Sequence, residues 1–99
     1  MADTATIEEV QTTEQNATDH LPPYEVWLQN DDINEIGDVI KKVQRIVGLS
    51  FEEATHKAID AHNNGEALLL VTHKERAELI QEQFASFVPP IGIEIRRAE

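Results

Sequence analysis

The chain has no cysteine. That absence excludes a disulfide framework, a thiol nucleophile and a cysteine-ligated zinc site, and it agrees with a reducing, cytoplasmic setting. Positive charge is scarce: 8 Lys and Arg stand against 19 Asp and Glu, for a formal net charge of −11. Such a surface repels phosphate, so neither nucleic acid nor an anionic membrane is expected as a partner. It suits a basic or ammonium-bearing one. No stretch approaches the ~18 consecutive apolar residues of a membrane span. The first residues, MADTATIEEV, have neither a basic region nor an apolar run, so they do not read as a secretory signal. Aromatic residues make up only 5% of the chain. A core must therefore come mostly from Ile, Val, Leu and Ala, and 99 residues suffice for one compact domain.

Residues 1–21 carry Asp3, Glu8, Glu9, Glu14 and Asp19 and no Lys or Arg. Without a sustained apolar stripe they cannot offset their ordering entropy, and a disordered acidic tail is expected. It serves either as a solubilising leader or as an extended arm toward a partner. Pro22-Pro23 mark the boundary to a folded domain over residues 22–99.

From Tyr24 the pattern changes. Tyr24, Val26 and Leu28 alternate with Glu25, Trp27 and Gln29, the period of a strand. Trp27 on the second face implies that this face is also partly covered. After Asn30-Asp31-Asp32, the residues Ile36, Val39, Ile40, Val43, Ile46 and Val47 recur at helical spacing, and Gly48 suits a left-handed cap. Ser50 and Glu53 form a capping box that opens a second helix, with Gly65 as its stop. Ala67–Val71 is an apolar run of strand length. Thr72 and Glu75 read as a second capping box, followed by the stripe Ala77, Ile80, Phe84, Phe87 and Val88. Pro89-Pro90 end that helix. Ile91, Ile93 and Ile95 then alternate with Gly92, Glu94 and Arg96 as a last strand. The predicted fold is a β-α-α-β-α-β open α/β sandwich of two layers, an α+β arrangement. It has a three-stranded antiparallel sheet with three helices on one face.

No nucleophile–base pair, Gly-rich phosphate loop or convergent metal set is visible, and His20, His56, His62 and His73 are scattered. Catalysis, a cofactor and a bound metal are not expected. Two places nevertheless look unlike packing. Asn and Asp before a helix are commonly caps, and a His late in a helix is commonly solvated. However, His62 follows Ala58 and Ala54 at intervals of four on one face of the second helix. Packed against Ile36 and Val39, such a face leaves an apolar hole. The amide, carboxylates and imidazole at its mouth are mostly acceptors, suited to an ammonium group. A hole for a side chain beside acceptors for an amine describes capture of a protein N-terminus.

These residues reach a family resemblance. YEVWLQNDD, then EEATHKAIDAHNNGEA, then VTHKERAELI resembles the ClpS adaptor family, in order and spacing, over residues 24–98. The matching landmarks are Asn30-Asp31-Asp32, Glu53-Ala54-Thr55, His62-Asn63-Asn64-Gly65 and Thr72 with Glu75. The resemblance implies a non-enzymatic, monomeric adaptor that grips the N-terminal residue of substrate proteins and hands them to an AAA+ Clp unfoldase–protease. It implies that Asn30, Asp31 and His62 hold the α-amine. Ile33, Asn34, Ile36, Val39, Ala58, Ala61 and Ile91 would form the pocket for a bulky apolar side chain. Glu75 and Glu78 would dock on the unfoldase's N-terminal domain, and the acidic tail would serve delivery. The chain departs from the family where Thr becomes Asn34, a Pro is missing, two Met positions become Ile36 and Ala58, and an aromatic becomes Asp38. A second reading is a docking module of this fold that does not read N-termini.

Overall fold

The computed structural model describes residues 21–98. The tail expected over residues 1–21 lies outside them, apart from Leu21. Six elements follow in the predicted order: β1 (Tyr24–Gln29), α1 (Ile36–Val47), α2 (Phe51–Asn64), β2 (Glu66–Thr72), α3 (Lys74–Ala85) and β3 (Ile93–Arg97). The sheet is antiparallel, in the order β2-β1-β3, so β1 is central and the other two strands are edges. Tyr24 faces Thr72 and Gln29 faces Glu66, which sets the two ends of the sheet. Val26 faces Leu70 but Trp27 faces Leu68, so Leu69 is an extra residue in β2. This bulge turns Leu69 into the core while Leu70 still packs against it. Among the described residues no helix is long and apolar enough to cross a membrane.

The helices gather on the core face. α2 lies chiefly on β2, α3 on β3, and α1 packs mainly against α2 with a smaller contact to α3. The core joins Val26 and Leu28 of β1 to Val39, Ile40, Val43 and Val47 of α1, the alanines of α2, and Ala77, Ile80 and Phe84 of α3. Small residues on α2 let α1 and the sheet approach it closely on either side. The second face of the sheet carries no helix. Trp27 there is half-buried, and the guanidinium of Arg96 lies 4.8 Å from its ring centre. The partial cover expected over Trp27 is thus supplied by side chains.

Helix ends follow local chemistry, with one exception. Gly48 and Gly65 end α1 and α2 in the left-handed region, at φ 89° and 94°, where a side chain would be strained. The box at α2 is complete: Ser50 Oγ accepts from the Glu53 amide at 3.0 Å and Glu53 Oε1 accepts from the Ser50 amide at 3.1 Å. The second expected box does not form. Thr72 is still paired in β2, so the cap position falls to His73, whose side chain makes no capping bond. That shift by one residue puts Arg76, not Glu75, at the third helical position. α3 also stops at Ala85, leaving Phe87 packed on the core and Val88 94% exposed, outside the stripe.

Phe84 is fully buried and Val88 is open to water, which separates two residues read as one stripe. Phe84→Ala should cost about 3–5 kcal/mol, a large share of a small domain's ~5–15 kcal/mol. Val88→Ala should stay within about 0.5 kcal/mol. Urea unfolding of both variants checks the difference.

Candidate functional site

The end of β1 is where the chain builds something other than core. The Asn30 amide donates to the Gly65 carbonyl at 2.9 Å. Gly65 itself donates to Ala61 O at 2.9 Å, closing α2. The residue after β1 is thereby fixed beside the last turn of α2, and His62 is brought to Asn30 although 32 positions of sequence separate them.

Asp31 then organises the turn toward α1. Its Oδ1 accepts from the amides of Ile33 and Asn34, each at 2.8 Å, and its Oδ2 accepts from Asn34 Nδ2 at 2.7 Å. This is the geometry of a helix cap placed ahead of the helix, for α1 itself starts at Ile36 with no side-chain cap from Glu35. Partial burial works to raise the pKa of Asp31. The amides of Asn34 and Ile33 and the charge of Lys42 outweigh it and hold the carboxyl below the ordinary carboxylate range. With two lone pairs per oxygen, the three bonds leave one acceptor site, on Oδ2. Asn34 Nδ2 also donates to Pro90 O at 3.3 Å, so its two donors are used and its carbonyl oxygen is left.

Between this turn, α1 and α2 lies a cavity of about 320 Å³. Leu28, Val39, Ala58 and Ala61, all buried, supply its apolar wall, and Ile36, 49% exposed, stands at its edge. Asn30, Asp31, Asp32, Asn34 and His62 supply the polar side. The side chains of Asn30 and His62 make no hydrogen bond with any described residue, so both face the opening with their polar atoms available. No Lys or Arg lines the cavity.

Eight of the ten residues expected around an amine and its side chain therefore meet at one cavity. The other two do not line it. Ile33 is 77% exposed, because the turn that Asp31 ties together carries it into solvent. Ile91 is 1% exposed in the core, where its amide bonds to Phe84 O at 3.1 Å and draws it to α3. Asp32 lines the cavity too, as one of the carboxylates expected at its mouth, and Leu28 and Gln29 line it without having been expected there. Leu28 and Gln29 had read only as strand residues. Glu75 and Glu78 are exposed on α3. They lie near the sheet end marked by Tyr24 and Thr72, opposite the end that carries Asn30.

Residues 19–88 match the family model of the ATP-dependent Clp protease adaptor protein ClpS. The chain belongs to the ClpS family. A ClpS adapter of Aromatoleum aromaticum is 35% identical over 75 residues, 76% of this chain and 74% of that protein. One from Prochlorococcus marinus is 35% identical over 66 residues, 66% of this chain and 63% of that protein. Among solved structures, Agrobacterium tumefaciens ClpS2 bound to L-phenylalaninamide aligns with a TM-score of 0.69 at 22% identity, covering 78% of this chain and 98% of that one. That likeness confirms the ClpS fold, β-α-α-β-α-β with three strands. Family membership makes this ClpS chain an adaptor and the Clp protease its partner.

The depressed pKa of Asp31 has a testable sign. A carboxyl whose folded pKa is lowered stabilises the fold fully above its unfolded value, about 3.9, and loses that contribution as pH falls through the folded value. Asp31→Ala should cost roughly 1 kcal/mol near neutrality, a fall in Tm of about 4–8 °C for a domain of this size. The gap between wild type and variant should hold from pH 7 to about 5 and close below about pH 4. Thermal melts of both proteins across that range measure it.

Proposed function

We propose that this ClpS-family chain binds the first residue of substrate proteins and presents them to a Clp unfoldase. The observation that carries the reading is the pairing of an apolar cavity with unengaged acceptors at its mouth: Asn30, His62 and the last acceptor site of Asp31. An α-ammonium has three donors, and three acceptors from three separate positions suit it. The cavity wall takes the side chain. A dry cavity near 150 Å³ already admits benzene, so about 320 Å³ has room for a larger aromatic ring. The neighbouring ClpS2 was solved with L-phenylalaninamide, which joins a free amine to a benzyl group. Its presence in that relative supports the same ligand class here.

Glu75 and Glu78 are proposed to dock on the unfoldase's N-terminal domain. Their placement at the opposite end of the sheet leaves the cavity open while the adaptor is held. The acidic segment before Pro22 is proposed to serve delivery.

The departures around the cavity bear on preference. Ile36 is β-branched and stiff at χ1, and Ala58 takes little of the volume that a methionine would fill. A guest too small for the hole forfeits contacts, and one methylene is worth roughly 1–3 kcal/mol in an apolar pocket. Larger guests, Phe, Tyr and Trp, are therefore expected to bind more tightly than Leu.

Fluorescence anisotropy with peptides that differ only in their first residue tests both parts. A hydrogen bond to a charged group contributes roughly 1.5–3 kcal/mol. N-acetylation of a Phe peptide should therefore weaken binding at least about ten-fold. Equal affinity for the free and acetylated peptides would overturn amine recognition. Ala58→Met should move the ranking from aromatic guests toward Leu, and an unchanged ranking would remove Ala58 from the contact surface.

A further inference from the structure

Asn30 and His62 stand on different elements, and the juncture that brings them together is the last residue pair of an edge strand. Gln29 of β1 faces Glu66 of β2, and Glu66 directly follows Gly65, the acceptor for the Asn30 amide. Terminal pairs of an edge strand open most readily, and opening here would separate Asn30 from the end of α2. The open face of the sheet carries a clamp at this pair. Glu66 Oε1 accepts from Arg96 Nη2 at 2.6 Å and from Gln29 Nε2 at 3.2 Å, and Oε2 accepts from Arg96 Nη1 at 3.0 Å. Arg96 belongs to β3, on the far side of β1, so the two-pronged bond passes over the central strand and the Trp27 ring. Glu94 Oε1 accepts from Arg96 Nε at 2.5 Å, which fixes the guanidinium from its own strand. Gln29 also lines the cavity, so the clamp reaches the site directly as well as through Gly65.

We propose that Glu66 and Arg96 are positioning residues for amine recognition: their bond across β1 holds the Gln29–Glu66 pair closed and keeps Asn30 in register with His62. Neither residue lines the cavity. The proposal rests on the reading that Asn30 and His62 bind the α-amine. Cation–ring contact and the planar fork both favour arginine over lysine at this place. Because the fork joins three strands rather than two neighbours in one helix, its effect is on geometry at the site more than on the bulk of the core.

The test compares wild type with Glu66→Gln and Arg96→Gln, each conservative in size and on the water-facing side of the sheet. Two quantities are read well below the melting temperature. One is the ratio of affinities for a Phe-initiated peptide with a free and with an acetylated amine. The other is the hydrogen-exchange rate of the Asn30 amide by NMR. Both variants should lower the ratio roughly 3- to 10-fold, in the range of coupling within one network, with the acetylated peptide's affinity unchanged. Both should also quicken exchange at Asn30. A lowered Tm with the ratio retained would reduce the clamp to a structural role and overturn the proposal. A lowered ratio with Asn30 exchange unchanged would overturn it too, since the charges would then act without moving the juncture. A wild type that does not distinguish the two peptides would overturn amine recognition itself, an outcome separate from the other two.

Discussion

The Asn30 amide donates to the Gly65 carbonyl at 2.9 Å, and through that bond the end of a strand is joined to the end of a helix. Everything at the cavity mouth hangs on this joint. Upstream, β1 is the central strand and is held on both sides, so its last residue has little freedom. Downstream, Gly65 ends α2 in a conformation that a side chain would resist, and its carbonyl is turned to β1. Two rigid elements thus meet at one backbone bond, and a polar side chain from each faces the same opening. A site on element ends gains precision from the elements themselves.

Asp31 shows how a single carboxylate can hold a turn and still offer an acceptor to the amine proposed to bind beside it. Three of its four acceptor sites already hold the turn into α1. The same bonds that lower its pKa favour the ionised form, so the remaining acceptor site belongs to a charged carboxylate. Asn34 extends this turn to Pro90 and so links the start of α1 to the segment before β3. Threonine, which the family usually places there, has one donor and cannot span both partners at once.

The two surfaces proposed for this adaptor lie at opposite ends of the sheet. The cavity lies at the Gln29–Glu66 end and the exposed acidic residues of α3 lie toward the Tyr24–Thr72 end. The chain's net charge of −11 and a cavity lined by no Lys or Arg favour the approach of an ammonium over long range, and salt screens this within about 8 Å under physiological conditions.

Much of this protein was legible in its sequence because the signals were local. Alternation at Tyr24–Leu28 and the 3.6-residue stripe of α1 follow from which side chains avoid water. Ser50 with Glu53 and the glycines at positions 48 and 65 act within one turn of chain. The order of elements and the three-stranded sheet came from these, and the conjunction of Asn30-Asp31 with His62 came from the ordered family motifs. Other features depend on which residues meet through space. Thr72 had the chemistry of a cap, but pairing with Tyr24 kept it in the strand. Val88 kept helical spacing, but α3 had already ended, and Ile91 went to the core because Phe84 offered its amide a carbonyl. The Glu66–Arg96 bond joins residues 30 positions apart across a strand that contains neither. No periodicity can announce such a contact, because its existence is fixed by sheet order and register, and these are decided only when the whole core closes.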